Sequence, residues 1–193
     1  MGDRFQAIVD VQASAQEAGT LAADVRSWLI ASGVVSAERT DCVLSADLGY
    51  PSGPGADAVV GLSGWSVPWQ GGLDITIGRT VFDAGQGDPM AVTCPHCSAT
   101  IDLLDEDFEL SDEAWEPFRE VVHGWGEGRD VIVPCPACGR PVEPTFWKWA
   151  DDYFVFAHLG FMFWNWPPLR PEFVAEFTRH LADHRTVLLE GKL

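Results

Sequence analysis

Cys94-Pro95-His96-Cys97 and Cys135-Pro136-Ala137-Cys138 share one form, C-P-x-C followed by a small residue, Ser98 in the first and Gly139 in the second. Two residues between thiols let both sulfurs of a pair face one ion from a tight turn. A small residue after the second cysteine leaves room for the backbone N–H groups that support them. Two such turns supply four thiolates. That closed tetrahedral set suits one structural Zn2+, because no coordination position remains for water or substrate. The expected ligands are Cys94, Cys97, Cys135 and Cys138. Two other uses of the same residues are burial as small apolar side chains and a redox pair, which needs one thiolate activated near a helix N-terminus. Cys42, the fifth cysteine, lies in an expected strand and reads as a core thiol.

The two turns resemble the paired knuckles of zinc-ribbon proteins. The resemblance covers Met90 to Gly139 and implies strands leading into and out of each turn, for which 90–93, 100–103 and 130–133 are available. Zinc ribbons are frequently associated with nucleic-acid machinery, while others brace a fold or offer a protein-binding face. The stretch Phe161-Met-Phe-Trp-Asn-Trp-Pro-Pro168 is also similar to a segment of bacterial proteins, a likeness that implies no activity.

A second chemical site is suggested by His180 and His184. Four residues apart on a continuous helix they would share a face, with Glu176 one turn earlier, and could bind a second metal in a hydrolase-like enzyme. The plainer expectation is that both close a short helix, where imidazole suits the negative dipole end. Asp151-Asp152, between Trp149 and Tyr153, is the acidic pair in an aromatic setting, and a loop between two strands explains it more simply. His96 is expected to be exposed inside its knuckle, and His123 and His158 lack an evident catalytic partner. No GxxxxGK[ST], GxSxG or HExxH is present, and Gly53-Pro-Gly-Ala-Asp-Ala58 makes a poor phosphate cradle because Pro54 stiffens it.

The elements that must position these residues read as α+β. A β-rich run at 5–11 precedes a helix in which Ala18, Leu21, Ala22, Val25, Trp28 and Leu29 recur at the helical period, with Ser14 as cap and Gly33 just past the end. Further strands are expected at 41–45, 59–67 and 73–82. Between the knuckles lies an acidic helix capped by Ser111, with Leu110 and Trp115 at the staple positions and Trp115, Phe118, Val122 and Trp125 as its apolar face. Pro117 should kink it or move its start towards Glu116. Several strands are expected across the aromatic stretch 146–166, then a helix with Phe173, Val174, Phe177 and Leu181 on one side and a terminal strand at 186–190. Strand-helix-strand units thus stand at both ends of one domain. Residues 1–90 form its N-terminal part, 91–144 the inserted ribbon-like block and 145–193 the C-terminal completion. Most of the nine Trp should be core, although Trp164-Asn-Trp-Pro-Pro168 could present a contact surface.

Composition narrows the partners. The 193 residues carry 29 Asp plus Glu against 12 Lys plus Arg, a formal charge of −17, and 47% are hydrophobic, enough to fill a core. From 102 to 130 there are eleven acids and two bases. A body so negative repels phosphates unless its bases are segregated, so a nucleic-acid partner is not expected. No signal-peptide or membrane-spanning run is evident, and a cytoplasmic location follows as the expectation. The functional expectation is a zinc-binding, non-enzymatic interaction module of adaptor, inhibitor or immunity type, presenting an acidic face to a basic protein. Its alternative is the hydrolase-like enzyme around His180 and His184.

Overall fold

The computed structural model describes residues 2–62, 64–65, 70–129 and 131–193. A five-stranded antiparallel sheet runs in the order β10-β1-β9-β3-β2, built from β1 (Arg4–Asp10), β2 (Tyr50–Pro51), β3 (Gly72–Asp83), β9 (Phe154–Trp164) and β10 (Thr186–Lys192). β1 lies between β9 and β10, and after Arg4 every one of its residues is buried. Its run Phe5-Gln-Ala-Ile-Val9 therefore lacks a polar-out alternation, because both faces of the sheet are covered there. Ile8, Leu73, Leu159, Phe161 and Phe163 pack under the helices α1 (Ala18–Ala31) and α3 (Pro171–His180). Phe5, Ala7, Val9, Trp164 and Leu189 form the opposite core.

Local signals set the helix ends. Ser14 and Glu17 form a reciprocal box, in which Glu17 N–H donates to Ser14 Oγ at 3.3 Å and Ser14 N–H donates to the Glu17 carboxylate at 3.1 Å. At the other end Gly33 takes φ 71°, while Val34 N–H reaches Leu29 O and Gly33 N–H reaches Ile30 O, a Schellman closure that favours glycine. α3 begins on Pro171, whose missing N–H costs nothing in a first turn.

Three expected elements differ. Residues 41–45 form no strand, and the strand that follows α1 is the two-residue β2. An isolated Thr40–Gly49 bridge makes them a loop that pushes Cys42 and Val43 into the second core. Gly72 makes room, since a Cβ there would stand 2.3 Å from Cys42 Sγ. In 59–67 the described residues make only an isolated bridge, Val60 with Leu169, while 63, 66 and 67 lie outside the described residues. β3 pairs instead with β9, whose 11 residues take up most of the aromatic stretch in one strand.

The cysteine block packs beside this sheet. It comprises β4 (Ala91–Thr93), β5 (Thr100–Asp102), α2 (Asp112–Gly126), β6 (Val133–Pro134), β7 (Pro141–Val142) and β8 (Lys148–Trp149). Its strands form a sheet in the order β5-β4-β8 and a separate β6-β7 hairpin. α2 starts at Asp112 despite Pro117. Ser111 Oγ accepts from Ala114 N–H, and Pro117 lies on the exposed side. An interior proline costs ~3 kcal/mol. Burial of Trp115, Phe118, Val121 and Trp125 against Val92, Leu103, Trp147, Trp149 and Phe156 opposes that cost. Val121 takes the buried place expected of Val122, which is half-buried. The register of β3 with β9 shifts between Ile77 and Thr80, opposite His158. Beyond that bulge Val81, Phe154 and Phe156 belong to the core of the cysteine block.

Candidate metal centre

Each C-P-x-C turn is the loop of a short hairpin, the first between β4 and β5 and the second between β6 and β7. The two are built alike. Cys94 N–H donates to Ala99 O at 3.0 Å and Ser98 N–H to Cys94 O at 3.0 Å; Cys135 N–H donates to Arg140 O at 2.9 Å and Gly139 N–H to Cys135 O at 2.7 Å. Ser98 and Gly139 both occupy the left-handed region, at φ 60° and 71°. The small residue after each pair therefore turns the chain back into its second strand.

The hairpins converge so that the sulfurs of Cys94, Cys97, Cys135 and Cys138 all lie within 4.8 Å of one another. Cys97 Sγ and Cys135 Sγ stand 3.8 Å apart. Metal–sulfur bonds of about 2.3 Å directed tetrahedrally require an edge of about 3.8 Å, so the donor set fits one ion. Cys94 and Cys135 are buried while Cys97 and Cys138 face outward. The thiols differ as acids. Burial pushes Cys135 up, but the N–H groups of Cys138 and Ala137, with help from the Cys94 and Cys138 thiols, outweigh it and leave Cys135 lowered to about 7. At Cys97 the Ala99 N–H favours the thiolate, yet burial and the three neighbouring thiols prevail and raise it to about 11. Cys135 is thus a stronger acid than Cys97.

Neither pair opens a helix, the setting that a thioredoxin-like redox pair needs. His96 is exposed, and its Nε2 lies 3.3 Å from Pro141 O, tying the first knuckle to the strand leaving the second.

No family model, curated protein or solved structure matches this chain. The functional reading therefore rests on its own residues.

The histidine site does not assemble. α3 ends at His180, Leu181 N–H closes onto Phe177 O and Thr178 O, and Ala182 and Asp183 turn left-handed. His180 stacks on Trp28 with ring centres 4.1 Å apart. His184 instead reaches Asp10, with Nδ1 2.9 Å from Oδ2. Glu176 is exposed, and among the described residues only the four cysteines group as metal ligands. The shared face required a helix one turn longer than this one. Asp151 and Asp152 lie in a 3-10 turn, exposed and both left-handed. His123 is exposed. His158 is held below its ordinary pKa, first by burial and then by Arg79. Trp164 and Trp166 are buried and give no contact surface. No helix among the described residues is long and apolar enough to cross a membrane.

One surface feature escaped the sequence reading. Phe108 is 82% exposed at φ 62°. Asp105 builds its turn, accepting from Asp107 N–H at 2.9 Å and Glu109 N–H at 3.0 Å, and a Leu104–Leu110 bridge closes the base. The available signal was a single aromatic inside the acidic run Asp105-Glu-Asp-Phe-Glu109.

Proposed function

We propose that this chain is a non-enzymatic interaction module of adaptor, inhibitor or immunity type, braced by one structural Zn2+ on Cys94, Cys97, Cys135 and Cys138, and that its partner is a basic protein. The observation that carries the reading is Phe108. A bulky side chain in the left-handed region is strained, and an aromatic left in water forgoes burial, which a partner that covers the ring restores. Its neighbours Asp105, Glu106, Asp107 and Glu109 are exposed, as are Glu113, Glu116 and Glu120 on α2. Arg119 already pairs with Asp112 and Glu116, and Arg129 with Glu120 and Glu127. Among the described residues Glu113 has no such pair, and the field around Phe108 selects a cationic surface.

Zinc is the metal favoured by four thiolates in a closed tetrahedron. Its role is to hold two short hairpins that have little core of their own. Elemental analysis of untagged protein should find one zinc per chain. For the partner, immobilised wild type should retain a basic protein whose capture falls with salt. Phe108→Ala and the triple reversal Glu113→Lys, Glu116→Lys, Glu120→Lys should each lose it while keeping their metal. Equal retention by both variants removes this surface from the reading.

A further inference from the structure

A cleft of about 390 Å³ opens between the cysteine block and the five-stranded sheet, bounded by Pro95 of the first knuckle and by Val11 and Val187 at the sheet. Its volume falls in the range of roughly 300–1,000 Å³ usual for small-molecule sites. Trp147, Trp149, Phe154 and Phe156 supply an aromatic wall. The indole N–H groups of Trp147 and Trp149 are buried and have no acceptor among the described residues.

The charges lining the cleft run against those of the chain. Lys148 and Arg185 line it, both are exposed, and neither forms an ion pair among the described residues. Asp152 is the acid in the lining. Two cations and one anion leave a single net positive charge, which suits a monoanion and disfavours a phosphate ester carrying two.

We propose that this cleft binds a small amphipathic carboxylate, its apolar body against the tryptophan and phenylalanine wall and its carboxylate on Lys148 and Arg185. The site is separate from the acidic surface, and its occupation does not depend on the protein partner. Because Pro95 and residues 145–149 frame it, a bound ligand also ties the first knuckle to the sheet.

The test is isothermal titration of the metal-loaded full chain with 3-phenylpropionate, and with 3-phenylpropanol as the uncharged counterpart. The acid should bind saturably at one site per chain. The alcohol should bind about tenfold more weakly, as loss of a charge-assisted contact implies. Lys148→Glu with Arg185→Glu should abolish acid binding, while metal content and Tm match those of wild type, since both side chains are exposed. Lys148→Ala alone should weaken binding without abolishing it. No saturable binding of the acid, equal binding of the alcohol, or unchanged binding by the double reversal would each overturn the proposal.

Discussion

Asp10 and His184, 174 residues apart in the chain, meet at 2.9 Å and fasten the end of β1 to the turn that follows α3. Asp10 is fully buried, and its other oxygen accepts from Gln12 and Ala13 N–H groups, each at 2.9 Å. One carboxylate thus closes the turn after β1 and holds the chain entering β10. The histidine that could have served a metal is spent on the fold.

Asp10→Ala should therefore destabilise more than His184→Ala. The first strands two backbone donors and an imidazole, on the order of 3 kcal/mol in total, whereas the second removes one charged contact worth about 1–2 kcal/mol. Urea denaturation of both variants measures the difference, and equal losses would mean that the Asp10 turn bonds contribute nothing.

Replacing Cys94 or Cys135 by Ser should abolish metal binding and lower Tm, because both are buried and metal binding is coupled to folding. Loading should also release protons. With Cys135 near 7 and Cys97 near 11 in the free thiol cluster, protons compete with the ion increasingly as pH falls below neutrality. An indicator titration reads the proton release. Unchanged Tm and metal content in Cys94→Ser would eliminate the cysteine centre.

Gly160→Ala should cost about 1–3 kcal/mol through overpacking. A Cβ at Gly160 would stand 2.3 Å from Cζ and 2.4 Å from Cε1 of Phe82, inside contact distance of a ring buried in the second core. Phe82→Leu should recover part of that loss, so the pair should be non-additive in a double-mutant cycle. Additive costs would mean that the ring does not lie over Gly160.

His158 carries a pH signature. Its folded-state pKa is lowered, chiefly by burial, so the unfolded chain takes up the proton first. The stability attached to the neutral ring is complete above the unfolded value of about 6.5 and is lost as pH falls from there towards the lower folded value. His158→Gln should flatten the acid side of a Tm-against-pH curve below about pH 6.5 relative to wild type. Parallel curves would contradict the shift.

The helices were legible because their signals are local. Ser14 with Glu17, Ser111 before an acidic turn, and Pro171 as a first residue act within one turn of where they stand. Pro117 misled because the penalty it imposes is opposed by Trp115 and Phe118, whose packing partners lie in β8, β9 and the turn before β8. Residues 41–45 have the composition of a strand but join no ladder. Their apolar side chains were satisfied by burial under the sheet instead.

The sequence by itself determined the α+β class, the three helices, and the form of two matched knuckles, because spacing within a turn is a local property. Only the tertiary structure decided which elements meet. It brought the hairpin tips, separated by the whole of α2, to within 4.8 Å, and it sent His180 to Trp28 and His184 to Asp10 rather than to a common ion. It also left Phe108 in water while burying Trp164 and Trp166. Such outcomes depend on strand pairing and on where a helix stops in space. Those are set by packing between residues far apart in the chain, which no local pattern encodes.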